Sequence, residues 1–200
     1  MIADLLRGLR FAAITLAVVS GAYPLAVWSI GQVAFPVRAN GSLVTGADGH
    51  IVGSSLVAQA FTGERYFHSR PSGVDYNAAS TGGTNYGPTN PDHLDAVRTR
   101  VAAVRTRERL VSIAVPADLV TASGAGLDPH LSPQSIAIQV GRVAAARGVT
   151  TDAVRRLVAA HTEPPTLGVL GRARVNVVLL NLALDAAFPA TSTPRLDTRS

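Results

Sequence analysis

Lysine and cysteine are both missing from this sequence. A phosphate-binding P-loop needs a lysine to reach the β- and γ-phosphates, so ATP hydrolysis of that kind is excluded. Thiolate zinc sites are excluded as well. The lack of disulfides leaves the compartment open, because they are optional even where they can form. Histidine is sparse: His50, His68, His93, His130 and His161 are scattered without H-E-x-x-H or comparable metal-ligand spacing, and read as surface or capping residues. A serine nucleophile has no G-x-S-x-G elbow to sit on. Ser123, Asp128, His130 and Ser132 contain the residue types of a triad, but short polar clusters like this are ordinary turn chemistry. There is no internal repeat and no coiled-coil period.

Charge is also missing from one long stretch. Between Arg10 and Arg38 no residue is charged, and Phe11 to Phe35 is mostly Ala, Val, Leu, Ile and aromatics. As a helix this stretch is about 37 Å long, enough for a hydrocarbon core of ~30 Å. Ten of its residues are Leu, Ile, Val or Phe. They contribute roughly −3 to −6 kcal/mol towards insertion, before penalties for Ser20, Pro24 and Gln32. Pro24 has no N–H for the Ser20 carbonyl, which predicts a kink supported by a partner helix, with Pro24 and Trp28 as contacts. Ser20-Gly21-Ala22 resembles a signal-peptidase box. The apolar run, however, continues for a dozen residues beyond it, where a secreted chain would turn polar. Arg7 and Arg10 precede the run and only Arg38 follows it before Arg65. This bias predicts a cytoplasmic segment 1–10, a transmembrane helix 11–35 and an extracytoplasmic domain 38–188. Residues 189–200 are expected to form a disordered tail.

All eighteen basic side chains are arginine, and the formal net charge is +5. The uniformity reads as compositional bias. From Arg38 onward sixteen arginines face twelve acids. Nucleic acid as a partner needs a basic stripe and a compartment that this topology removes; membrane lipid or an acidic protein surface fits better.

The outer region reads as a small α+β domain. Short strands are expected over Arg38 to Gly46 and His50 to Phe61, with Asp48-Gly49 at a hairpin tip. Leu94, Val97, Val101 and Val104 form the apolar stripe of a helix from Pro91 to Leu110. Arg98, Arg100, Arg105, Arg107 and Arg109 read as its solvated face. Val111 to Val115 is expected to be a strand. Ser132-Pro133 starts a helix that stops at Gly148, with Ile136, Val140 and Val143 inward. Thr150 or Thr151 caps another helix running to His161. A buried strand over Val175 to Leu179 passes into a helix over Asn181 to Ala187.

Tyr66 to Pro91 is the most telling segment. It is rich in Gly, Pro, Asn, Ser and Thr, yet carries Tyr66, Phe67, Tyr76 and Tyr86. Aromatics among turn formers imply an ordered loop fixed to a surface, and such loops usually carry function. Asn77, Asn85 and Asn90 are suited to Asx-turns, and an Asn side chain can also meet a partner. The Thr81-Gly82-Gly83 turn could present backbone N–H groups to an anion, although a plain turn explains it equally.

The motifs YF-x-x-RPSG-x-x-YN and GG-x-N-x-GPTNP closely resemble the C subunit of the bacterial Kdp potassium-transporting ATPase. Pro116 to Pro133 (PADLVTASGAGLDPHLSP) and Arg174 to Asp185 (RVNVVLLNLALD) extend the match, which covers roughly residues 5 to 188. The DKTGT-type phosphorylation motif of the catalytic chain in such pumps is missing. The resemblance implies a single-span, non-catalytic accessory subunit of an ATP-driven high-affinity potassium uptake pump in the cell (inner) membrane. It implies three partners: a potassium-binding channel-like subunit, the P-type ATPase subunit and a small single-span subunit. It implies no cofactor of its own, ATP and potassium being handled by the complex.

The resemblance also implies a catalytic-chaperone role that raises the ATP affinity of the hydrolysing subunit, with nucleotide contact at Gln139 in IAIQVGRVAAARG. By the charge bias Gln139 lies outside the cell, so contact with a partner or capping of a backbone group is the other reading. Tyr66, Arg70, Asn77, Tyr86 and Asn90 are candidate partner contacts. Arg172-Ala173, Thr81 and Tyr86 depart from the family pattern. An alternative class is a membrane-anchored extracytoplasmic hydrolase, with Ser72, His68 and Asp75 converging; a nucleotide-binding regulator would need inverted topology.

Overall fold

A computed structural model describes residues 1–46 and 49–189. Two compact units emerge: residues 1–45 with 51–54, and residues 46–50 with those from 55 onward.

The first unit is built on an apolar helix. α1 (Ile2–Leu16) and α2 (Tyr23–Ala34) are joined by a π-helical turn, Ala17–Ala22, into one helix of 33 residues. No residue of its most apolar window is buried within the structure, so its length and composition suit a membrane span. The π turn lies just before Pro24, and the Tyr23 N–H donates to the Val18 carbonyl, five residues back. Widening the helix by one residue is a known way to absorb a proline. The short helix α3 (Pro36–Ala39) follows. β1 (Leu43–Thr45) and β2 (Ile51–Ser54) then pair antiparallel, with Leu43 opposite Ser54. The strand expected from Arg38 thus begins five residues later, because Pro36 at a helix N1 position first sets up a turn of helix. The expected tip residue Asp48 lies outside the described residues, as does the tail from residue 190 onward.

The second unit is α+β. Its sheet has the order β3–β5–β4, all antiparallel: β3 (His130–Leu131) and β4 (Thr162–Glu163) flank β5 (Arg174–Asn176). Around it lie α4 (Pro91–Glu108), α5 (Pro133–Ala137), α6 (Val140–Arg147), α7 (Thr151–Ala160) and α8 (Val177–Ala187). The core joins Phe67, Leu131, Ile136, Val143, Val154, Val175, Leu180 and Leu184. Ser132, Thr150 and Asn90 cap α5, α7 and α4 through their side-chain oxygens, and Gly148 ends α6 at φ 67°. Asn176 turns β5 directly into α8, accepting from the Val178 and Leu179 N–H groups.

Three expectations are corrected. Val111 to Val115 is not a strand: Val111 and Ile113 are exposed, and an alternating pattern without a packed face or a strand neighbour forms no ladder. The helix from Ser132 is interrupted at Ile138 and Gln139, so α5 and α6 are separate. The α4 arginines are not all solvated: Arg100 donates to the Val120 carbonyl, and Arg107 to a Glu108 carboxylate that is completely buried.

Candidate functional site: an aromatic loop held by helix side chains

Residues 64–68 leave a turn at Gly63–Tyr66, closed by Tyr66 N donating to Gly63 O at 3.1 Å, and pass into the second unit with no strand beside them. Buried backbone groups still require partners, and side chains from α6, from α8 and from Gln139 at the α5–α6 break supply them. The five consecutive carbonyls from Glu64 to His68 each accept a side-chain hydrogen bond. Arg142 Nη1 donates to Glu64 O at 2.6 Å and to Tyr66 O at 2.9 Å, and Arg147 Nε to Arg65 O at 2.7 Å. Asn181 Nδ2 donates to Phe67 O at 2.9 Å and Gln139 Nε2 to His68 O at 3.4 Å. The two amides also return the favour to the N–H groups. Phe67 N donates to Asn181 Oδ1 at 2.9 Å, and His68 N to Gln139 Oε1 at 2.8 Å. Asn181 and Gln139 thus stand in for a strand neighbour, and the Phe67 ring between them is wholly buried in the core.

The remaining atoms of Gln139 are occupied too. Its Nε2 donates to Ser135 O at 3.2 Å and its Oε1 accepts from Arg142 Nη2 at 3.0 Å. A carboxamide offers two donors and two acceptor positions. All four are filled, and the residue has no exposed surface.

Charges reinforce the clamp. Arg142 is bonded through Nε to both Glu108 oxygens, at 3.1 and 3.0 Å, in a pair nearly sealed from solvent. Arg147 meets Asp185 at 2.9 Å and lies 5.1 Å from the Tyr66 ring centroid, while Tyr66 Oη donates to the other Asp185 oxygen at 3.0 Å. Burial, and then this carboxylate, raises the Tyr66 hydroxyl above the ordinary tyrosine pKa. Burial, followed by Arg142 and Arg107, lowers that of His68.

Beyond His68 the loop folds against residues 121–128. Arg70 Nη1 pairs with Asp128 at 2.9 Å, and Tyr76 Oη donates to Arg70 O at 2.8 Å. Burial would raise Asp128, but the His130 ring and N–H, with Arg70, outweigh it and hold the carboxyl down at about 2. Asp118 is also lowered: Ser135 and Ser132 overcome its desolvation by donating to it. Gly82 N donates to Ala125 O at 3.1 Å. A Cβ on Gly83 would stand 2.8 Å from Gly124 O, and one on Gly126 would meet Val74 Cγ2 at 2.6 Å. Gly126 also has φ +71°, so both its space and its backbone require glycine. Past this contact the loop leaves a cleft of about 260 Å³ walled by Tyr86, His93, Arg100 and Ser123.

Tyr66, Arg70 and Gln139 therefore lie along one clamped segment. Asn77 and Asn90 act locally, accepting from the Ala79 N–H and from the Asp92 and His93 N–H groups. Tyr86 is exposed beside His93, their ring centroids 6.3 Å apart. Pro24 and Trp28 are exposed on the helix of the first unit. Asn181, Arg142, Arg147 and Glu108 were not singled out from sequence. Asn181 had a signal, a lone amide inside VVLLNLAL; the charged three did not, since a helical arginine or glutamate reads as solvated. The suggested triad Ser72, His68, Asp75 is not joined by hydrogen bonds among the described residues. Ser72 Oγ accepts from the Val74 and Tyr76 N–H groups, and His68 Nε2 lies 3.2 Å from Gly63 O.

An apolar helix long enough to span a bilayer, together with an α+β unit carrying this side-chain-clamped loop, defines the class. Residues 5–186 match the family described as KdpC, K+-transporting ATPase, c chain. The Polaromonas naphthalenivorans potassium-transporting ATPase KdpC subunit is 52% identical over 174 residues, covering 86% of this chain and 88% of that one. The Rhodospirillum rubrum protein of the same name is 50% identical over 192 residues, 92% of this chain and 98% of that one. That of Geobacter metallireducens is 49% identical over 172 residues, 84% and 90%. The chain belongs to the KdpC family.

Proposed function

We propose that this chain is an accessory subunit of an ATP-driven potassium pump, anchored by its first helix and acting by assembling and stabilising the complex. The observation that carries the reading is similarity over most of the chain to relatives named as subunits of a potassium-transporting ATPase. The partners are a potassium-binding channel-like subunit, the P-type ATPase subunit and a small single-span subunit. Arg7 and Arg10 ahead of the span favour a cytoplasmic start and an extracytoplasmic second unit. The exposed Trp28 and Pro24 offer a helix face to neighbouring spans or lipid.

The clamp supports a rigid display role for the loop. A binding surface whose backbone is already fixed loses less entropy on association. Any effect on ATP affinity then arises through assembly, because the Gln139 amide has no hydrogen-bonding position left for a nucleotide. The test is growth at limiting potassium of a strain lacking only this chain. We expect growth to fail and to be restored by the intact chain; unimpaired growth, with the pump as its sole high-affinity route, would contradict the proposal.

A further inference from the structure

The cleft beside Tyr86 has features of a binding site that neither the clamp nor the core accounts for. Ser123 is 5% exposed, lines the cleft, and its Oγ has no hydrogen-bond partner among the described residues. A buried hydroxyl without a partner is costly, so this atom marks a place where a polar group belongs. Arg100 lines the same cleft. One of its N–H groups donates to Val120 O at 3.2 Å, and no carboxylate pairs with it among the described residues. Most other partly buried arginines have acids: Arg70 has Asp128, Arg107 and Arg142 share Glu108, and Arg147 has Asp185, with Arg65 the exception among the described residues. Among the described residues no acid lines the cleft, and His93 and Tyr86 are the ionisable side chains that line it besides Arg100.

A planar guanidinium fork suits a carboxylate, which can take two parallel N–H bonds from it and a third from Ser123 once that enclosed hydroxyl turns to face the cleft. One fixed positive charge balances one negative charge, not the several of a polyphosphate. About 260 Å³ is also below the usual range for a drug-sized ligand, leaving room for one such group. Gly83 and Gly124 form part of the wall, their backbones so close that a Cβ on Gly83 would stand 2.8 Å from Gly124 O. We propose that this cleft is a carboxylate-binding site, with Arg100 as the charged partner and Ser123 as the third donor. The carboxylate is carried either by a small free acid or by an acidic side chain of a neighbouring subunit.

The test has two arms, and only the second rests on the pump-subunit reading. In the first, the full chain in detergent is titrated with acetate and with acetamide at constant ionic strength, following the Gly83, Ser123 and Gly124 amide resonances. A free-acid site gives saturable shifts with acetate and none with acetamide. Arg100→Gln should weaken the response at least tenfold, Ser123→Ala about threefold, and Arg98→Gln on the exposed face of α4 should leave it unchanged. The second arm uses the absence of lysine from this chain. Arg100→Lys places a single side-chain amine in the cleft, and a zero-length carbodiimide joins it to a carboxylate held there in the assembled complex. A cross-link to another subunit from Arg100→Lys, and not from Arg98→Lys, identifies a protein-borne carboxylate. An acetate response that survives both Arg100→Gln and Ser123→Ala overturns the site. So does the lack of any acetate response combined with no cross-link specific to position 100.

Discussion

At the scale of single residues, two amides carry much of the order in the loop. Gln139→Ala leaves the His68 N–H and the Ser135 and His68 carbonyls without their partner and removes an acceptor from Arg142. We expect a loss of roughly 2–4 kcal/mol, read as a lower urea midpoint of the full chain with no nucleotide present. A residue that served only as a nucleotide ligand would leave that midpoint where it was. Asn181→Ala should cost a similar amount. Because Asn181 and Gln139 hold adjacent residues, the double variant should fall short of the sum by about 0.5–3 kcal/mol. Acid behaviour turns on Asp128 and Asp118. Both carboxyls are held below their unfolded value, so their contribution is complete above about pH 4 and is lost as pH falls through the folded value, about 2 for Asp128. Asp128→Asn should therefore narrow its melting-temperature deficit against wild type between pH 5 and pH 2.5. A deficit constant across that window would refute the assignment.

At the scale of elements, caps and glycine stops were legible because their chemistry is local. Ser132-Pro133, Thr150 and Gly148 each act where the pattern places them. The two-residue strands β3 and β4 were not legible. Their pairing is defined by β5, which starts 43 residues after the end of β3 (131 to 174), and two residues carry no periodicity. The break at Gln139 was hidden as well: IAIQV reads as continuous helix, whereas the Gln139 N–H donates to the Ile136 carbonyl, three residues back. In the loop itself, the presence of aromatics among turn formers did predict order. The clamp did not follow from it, since Arg142, Arg147 and Glu108 resemble surface charges until their partners are seen. Glycine contacts give the test at this scale. Gly126→Ala combines a positive φ with a Cβ inside the Val74 side chain, and should lower stability by about 1–3 kcal/mol by thermal melting. Gly87→Ala, with open space around it, should have little effect.

At the scale of the whole molecule, the proposed roles divide between anchoring and display. The first unit offers an apolar helix whose surface is unburied within this chain, and the second offers a loop whose backbone is fixed from within. Neither needs chemistry of its own to serve a complex. The account accordingly expects the isolated chain to be folded, and the pump to depend on it. The most direct measurement is affinity purification of this chain from detergent-solubilised membranes of potassium-starved cells, followed by potassium-stimulated ATP hydrolysis in the eluate. The account predicts co-purification of a P-type ATPase chain, with activity that falls when this subunit is removed. Recovery of the chain alone, with the pump fully active without it, would contradict the central claim.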